Sequence, residues 1–191
     1  MALDLPVILG TIREGRQSEH VARWAHKRLS ARPGITSAFV DPRDLPFGNL
    51  VEREFEMKVR PPVVAKFVDD MTHADGFLVV TPEYNHGIPG ALKNLLDITF
   101  KPWNRKPFAY VGCSNGMAGG LRVIEGMRQV TAGLGAVSVP AHMPVPNIDK
   151  AFGPDGPLAD AEQWAKRIDK VFDGLIWYAE ALQAKRSAPP A

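Results

Sequence analysis

Five times along this chain a short aliphatic run gives way to a stretch whose apolar residues recur at helical spacing. That alternation restricts the fold more than any other feature. The runs are 5–9, 35–40, 76–80, 108–112 and 136–139. Each is too short for a helix and is followed by a turn-forming segment, which reads as a buried strand. The stretches between and after them predict helices over 18–29, 61–72, 89–98, 121–131 and 160–184. Pro61-Pro62 and Pro89 stand where a helix start tolerates proline, and Gly133 and Gly135 stand where a helix stops. Ser18 is placed as an N-cap, and Asp160 with Gln163 makes the Asp/Gln form of a capping box. Residues 42–60 and 140–156 are punctuated by Pro and Gly and are expected to be irregular. Apolar strands alternating with helices predict an α/β fold with a parallel sheet covered on both faces. Right-handed crossovers then bring the loops after the first, third and fourth strands to one edge.

A chain of 191 residues, 45% of them hydrophobic, supports one domain, expected over 1–184, with a disordered tail over 185–191. The net charge of +2 comes from scattered Lys and Arg, so no nucleic-acid partner is expected. One cysteine, Cys113, excludes an intrachain disulfide. Asp4 interrupts the apolar N-terminus and no basic stretch precedes it, so it reads as a strand rather than a signal peptide. No apolar run reaches membrane-spanning length. A cytoplasmic protein without membrane contact is the expectation.

The three loops that share an edge have unusual chemistry. The first, Gly10 to Gln17, offers backbone amides, the hydroxyls of Thr11 and Ser18, the Arg13 guanidinium and a helix start, which together suit a phosphate. It is no P-loop, because Arg16-Gln17 stands where Lys-Ser/Thr is required, and no G-x-G-x-x-G follows the first strand. The second loop, TPEYNHGIPG from Thr81, places an aromatic ring and an amide side chain among glycines. The third, Gly112 to Gly120, has almost no side chain larger than Asn and so presents N–H groups. A phosphate at one end and two backbone-rich loops beyond it describe a site for a phosphorylated flat ring.

The segments GTIREGRQS (10–18), TPEYNHGIPGALKNLLD (81–97) and GCSNGMAGGLRVIEGMRQV (112–130) resemble the NAD(P)H-dependent FMN reductases, the flavodoxin-like flavin, quinone and azo reductases. The resemblance implies a doubly wound, three-layer αβα fold with five parallel strands in the order 2-1-3-4-5. It implies bound FMN, with NADPH or NADH as co-substrate and a quinone, free flavin, azo compound or similar small molecule as acceptor. Carried over, the phosphate falls to Thr11, Arg13, Gln17 and Ser18, and the ring system to Pro82, Glu83, Tyr84 and Asn85. Backbone on the pyrimidine side falls to Ser114, Asn115, Gly116 and Gly119. A homodimer or homotetramer is implied too, with the turn Phe100-Lys101-Pro102-Trp103 supplying apolar surface to bury. Two departures are visible: Thr11 stands where serine is common, and His86-Gly87 replaces a pair that usually ends in serine.

No residue is expected to act as an indispensable acid, base or nucleophile, since hydride would pass directly to flavin N5. Cys113 reads as a small buried hydrophobe, and His20, His26, His73 and His142 have no metal-ligand spacing. A Ser-His-Asp hydrolase is disfavoured, because no G-x-S-x-G elbow occurs. The other readings are a non-enzymatic flavodoxin-like electron carrier, which the slightly basic charge disfavours, and a flavin-binding sensor with the same loops.

Overall fold

The computed structural model describes residues 2–45 and 52–188. β1 (Leu3–Asp4) and β2 (Val7–Leu9) lead into α1 (Ser18–Ser30), β3 (Ile35–Thr36), β4 (Phe39–Val40) and a 3₁₀ turn over Pro42–Asp44. Next come α2 (Pro62–His73), β5 (Phe77–Pro82), α3 (Gly90–Asp97), a second 3₁₀ turn (Lys101–Trp103) and β6 (Pro107–Cys113). α4 (Leu121–Gly133), β7 (Val137–Val145) and α5 (Ile148–Ala151) follow. The hairpin strands β8 (Phe152–Gly153) and β9 (Gly156–Pro157) precede the long α6 (Ala161–Ser187). The main sheet runs β4-β2-β5-β6-β7 with all pairs parallel. In terms of the five predicted strands this is the order 2-1-3-4-5, and the fold is flavodoxin-like.

The first predicted strand is assigned only from Val7, with Leu3–Asp4 ahead of it, and the second is interrupted at Ser37 and Ala38, where the Ser37 hydroxyl donates to the Leu5 carbonyl at 2.7 Å. Pairing nevertheless continues across the break: Leu3, Leu5 and Val7 donate to the carbonyls of Gly34, Thr36 and Ala38 at 2.9, 2.9 and 2.8 Å. Alternate residues of the central strands face opposite layers. Leu78, Val80, Ala109 and Val111 pack with α1 and α6, while Phe77, Val79, Phe108 and Tyr110 pack with α2, α3 and α4. Both faces are therefore buried, which is why these strands lack a polar alternation. The apolar stripe of α6 does what its spacing predicts, burying Ile168, Val171, Phe172, Leu175 and Ala179.

Several local expectations give way to tertiary context. β7 does not stop at 139 but runs through Pro140 and Pro144 to Val145. As an edge strand it does not need those two N–H groups. Guanidinium groups cover its outer carbonyls: Arg128 donates to Val139 and Pro140, and Arg167 to Pro144 at 2.7 Å. Such covering discourages edge pairing with another chain. Asp160 has φ +52° and makes no side-chain cap, so the capping box is not formed. α6 extends past the expected boundary at 184, and Arg186 within it donates to Asp75 and to the Arg105 carbonyl, each at 2.9 Å. Of the expected tail, residues 189–191 lie outside the described residues. The turn at 100–103 is not an apolar surface patch either: Trp103 and Pro102 are buried, and of its apolar residues only Phe100 is open, at 44%.

Lys106 sits beneath the sheet at the end away from the three loops, donating to the carbonyls of Met71 and Thr72 at 2.8 and 2.6 Å. These are C-terminal carbonyls of α2 that would otherwise lack partners. Burial, with help from nearby Arg186, pushes the Lys106 amine down to about 8, against the opposing pull of Asp75 and Asp4. The folded value lies below the unfolded one, so between them the unfolded chain holds the proton and the folded chain does not. Stability therefore rises with pH in that window. In urea denaturation, the advantage of wild type over Lys106→Met should widen by up to about 1.4 kcal/mol per pH unit above pH ~8 and be flat below pH ~7. A difference that stays constant to pH ~10 would mean the amine keeps its proton.

Candidate functional site

The C-terminal ends of β2, β5 and β6 deliver the three loops to one edge, as the connectivity requires. Gly10 can make the first turn only because it lacks a side chain, since a Cβ there would fall 2.4 Å from Thr81 Oγ1. Beyond it the loop folds over Arg16, a buried residue that sequence reasoning did not select. Arg16 donates to the Thr11 carbonyl at 2.7 Å, to Asp41 Oδ1 at 2.8 Å, to Asp41 Oδ2, and to Glu19 Oε2 at 2.9 Å. Burial by itself would lower the Arg16 pKa, but hydrogen bonds to Asp41 and Glu19 outweigh it and hold the guanidinium above its ordinary value. Burial likewise works against the Asp41 carboxylate, yet Arg16 and the Arg43 backbone N–H keep it below the usual carboxylate range.

Ser18 does not cap α1. It is the first helical residue; Gln17 occupies the cap position with helical φ and ψ and makes no side-chain cap. Ser18 Oγ is buried and has no protein partner. A buried hydroxyl without a partner is costly, and here it lies at the positive end of a 13-residue helix dipole. That is what a bound anion would satisfy, so the residues fit the phosphate of FMN. Thr11 does not line the open cleft. It is buried, its Oγ1 lies 2.9 Å from Tyr84 Oη, and it accepts the Arg13 N–H at 3.2 Å, tying the first loop to the second. Arg13 is exposed and stands 5.3 Å from the centre of the Tyr84 ring.

The second loop is a tight turn from Tyr84 to Gly87, closed by N–H···O bonds of 3.1 and 2.9 Å in both directions. Asn85 and His86 have φ of +49° and +64°, the pattern of a type I′ turn. Both are exposed on its outer side. Glu83 does more than its sequence position suggests. Its carboxylate accepts the N–H groups of Arg122 and Val123 at 3.1 and 3.4 Å and pairs with the Arg122 guanidinium at 3.2 Å. It thereby caps α4, whose own cap residue is Gly120 and has no side chain to offer. In the third loop, Ser114 donates its N–H to Val145 and its hydroxyl to the Gly116 carbonyl.

Together the loops enclose a cleft of about 390 Å³. Eight of the twelve predicted residues line it: Arg13, Gln17, Ser18, Pro82, Glu83, Tyr84, Ser114 and Asn115. Thr11, Asn85, Gly116 and Gly119 do not, and Gly119 is instead packed against the backbone of Val145 and Pro146. Ile148 of α5 is a lining residue that sequence reasoning missed. Its only signal was its place just after a strand, and that strand was read as ending six residues early. Cys113 borders the cleft but is buried, and burial pushes its thiol well above the ordinary value, so it is not a nucleophile at neutral pH. Among the described residues no group of three His, Cys, Asp or Glu could hold a metal.

A parallel sheet with an anion-suited helix start, a turn carrying an aromatic ring and a small-residue loop at one edge defines a mononucleotide-binding flavodoxin-like protein. The family model for NADPH-dependent FMN reductases matches residues 4–152. A 2-hydroxy-1,4-benzoquinone reductase of Burkholderia sp is 36% identical over 72% of this chain and 74% of its own length. A probable NADPH:quinone oxidoreductase 2 of Oryza sativa subsp. japonica is 35% identical over 96% of this chain and 92% of its own. In three dimensions the chain superposes on the flavoenzyme NAD(P)H:(acceptor) oxidoreductase FerB of Paracoccus denitrificans with a TM-score of 0.76. That pair is 24% identical, covering 94% of this chain and 98% of the other. The chain belongs to the NADPH-dependent FMN reductase family. It is an FMN-binding oxidoreductase that takes hydride from NAD(P)H.

Proposed function

We propose that the cleft at the strand ends binds FMN and that the enzyme passes its electrons to quinone-type acceptors. The buried, unpartnered Ser18 Oγ at the start of α1 carries the placement of the phosphate. Relatives named as quinone reductases support the acceptor class. In this reading Thr11, Arg13, Gln17 and Ser18 serve the phosphate, the first through its backbone and its hold on Tyr84. Pro82 to Tyr84 flank the ring, with Asn85 shaping the turn that carries them, and Ser114 and Asn115 present backbone to its polar edge, while Gly116 and Gly119 fix the shape of that loop. The flavin supplies the hydride-accepting centre at N5. The protein orients both partners, keeps water from the cleft and offers amides to developing negative charge. No side chain in the lining needs to move a proton for hydride to pass. Residues 1–184 act as one FMN-binding unit in this reading.

The test is anaerobic mixing of FMN-loaded protein with NADPH or NADH, followed by benzoquinones, free FMN and an azo dye. Bleaching of the flavin and its reoxidation by quinone are expected. Bleaching without reoxidation by any acceptor would sink the acceptor assignment. Arg13→Ala should weaken FMN about ten- to a hundred-fold, the loss of one charge-assisted hydrogen bond worth about 1.5–3 kcal/mol. The substitution should leave the fold intact, since Arg13 is exposed. An unchanged dissociation constant would make Arg13 a surface charge held over Tyr84.

The protein works as a homodimer or homotetramer, and the exposed apolar side chains Ile12, Phe100, Met117 and Leu121 support an interface. A light-scattering mass near 20.9 kDa at micromolar concentration would remove it. Among the described residues no helix is long and apolar enough to cross a membrane. We assign the enzyme to the cytoplasm, where its nucleotide donor is made, and fractionation of cells would check this.

A further inference from the structure

We propose that Arg16 and Arg43 are positioning residues for the cofactor phosphate, acting as two clamps that hold the carbonyls of the first loop and so set where its amides point. The inference rests on the reading of that loop as the FMN phosphate site. Three consecutive carbonyls in the loop are each taken by a guanidinium. Arg16 Nη1 donates to Thr11 O at 2.7 Å, Arg43 Nε to Ile12 O at 3.0 Å, and Arg43 Nη2 to Arg13 O at 2.6 Å. In a trans peptide unit the carbonyl and the N–H that follows it point in opposite directions. The amides of Ile12, Arg13 and Glu14 are therefore turned away from whichever guanidinium holds the carbonyl before them. The Arg13 amide is used internally, by Thr11 Oγ1. Glu14, next in line, belongs to the lining of the cleft, as do Gly15 to Ser18. Of the three, the Glu14 amide is therefore the one that both follows a clamped carbonyl and lines the cleft, and fixing it sets how the stretch from Glu14 to Ser18 enters the anion site.

Asp41 joins the two clamps. Its Oδ1 accepts from Arg16 Nη1 at 2.8 Å and from the backbone N–H of Arg43 at 2.9 Å, and its Oδ2 accepts from Arg16 Nη2. The short segment Asp41-Pro42-Arg43 at the end of β4 thus braces a loop about thirty residues earlier in the chain. Neither guanidinium is well placed to act simply as a charge. Arg16 is buried and neutralised by Asp41 and Glu19, so its contribution is geometric. Arg43 reaches two neighbouring carbonyls with two nitrogens of one planar fork, which an ammonium group cannot do. Holding the loop in its binding shape before the ligand arrives removes an ordering cost from binding.

The test compares FMN with riboflavin, which lacks the phosphate. Apoprotein is titrated with each by quenching of flavin fluorescence, for wild type, Arg43→Ala and Arg43→Lys. Arg43 is exposed, so neither change leaves a buried charge unpaired; Arg16→Met would strand Asp41 and confound binding with unfolding. Arg43→Ala should weaken FMN about tenfold while riboflavin changes less than about twofold. Arg43→Lys should remain at least about threefold weak for FMN. Equal weakening of both ligands would show a general structural role, and full recovery by lysine would show that charge alone matters. Either result overturns the clamp. The wild-type ratio reads out the parent assignment separately: if wild type binds riboflavin as tightly as FMN, the loop is not a phosphate site and both readings fall.

Discussion

Trp103→Ala should cost about 3–5 kcal/mol of folding stability, the range for emptying a large aromatic site in a packed core. The indole is fully buried against Phe77, Phe67 and Phe108, at ring-centre distances of 5.0, 6.1 and 5.9 Å. Its Nε1 donates to the carbonyls of Leu96 and Thr99, both at 3.0 Å, at the end of α3. Truncation therefore leaves both a void and two carbonyls without their donor. α3 directly follows the ring loop, so the loss should spread to the site. Urea denaturation of apoprotein checks this. A change below about 1 kcal/mol, accompanied by dissociation of an oligomer, would return Trp103 to the interface role its sequence position suggested.

Gly119→Val should be nearly as damaging, and in the absence of any flavin. Gly119 has φ +60°, and a Cβ there would stand 2.7 Å from Pro146 N and 2.9 Å from Val145 N. Its carbonyl accepts the Val145 N–H at 3.0 Å, so the backbone cannot withdraw without breaking that bond. Left-handed strain in a branched residue plus the clash should cost about 3 kcal/mol or more. Gly116→Ala, where the new carbon would meet only Ser114 Oγ at 3.7 Å, should stay within about 0.5 kcal/mol of wild type. Thermal unfolding of the two apoproteins separates the cases. Were Gly119→Val to melt like wild type and lose only FMN binding, close approach to the ring would be the reason for this glycine after all.

Much of the fold was legible because it is local or nearly so. Short apolar runs and helix-period stretches reflect burial of each element on its own, and a parallel sheet with both faces covered follows from strands apolar throughout. The placement of three loops at one edge follows from connectivity. The strand order and the assignment of Thr11, Arg13, Pro82 to Asn85 and Ser114 to FMN came from resemblance to a family, not from periodicity. In β7 the local rule failed because distant partners overruled it, and at the start of α1 it failed with no protein partner taking its place. Pro140 and Pro144 sit inside β7 because it is an edge strand whose carbonyls Arg128 and Arg167 cover. Ser18, a sound N-cap by composition, begins the helix and keeps its hydroxyl unpartnered.

The sequence by itself determined the five main strands and the helices between and after them, that the central strands are buried on both sides, and which loops carry binding chemistry, while α5 and β8 fall in a stretch expected to be irregular and β9 begins at its end. Those properties depend on residues a few positions apart. The tertiary structure decided the rest: that Glu83 caps a helix 39 residues onward, that Arg16 meets Asp41 across 25 residues, and that Trp103 is core rather than surface. The first two are pairings that meet only after the sheet order is set, and Trp103 is enclosed only once Phe77 and Phe108 of the sheet lie beside it. The free energy of such a pairing depends on a desolvated geometry that no spacing along the chain encodes.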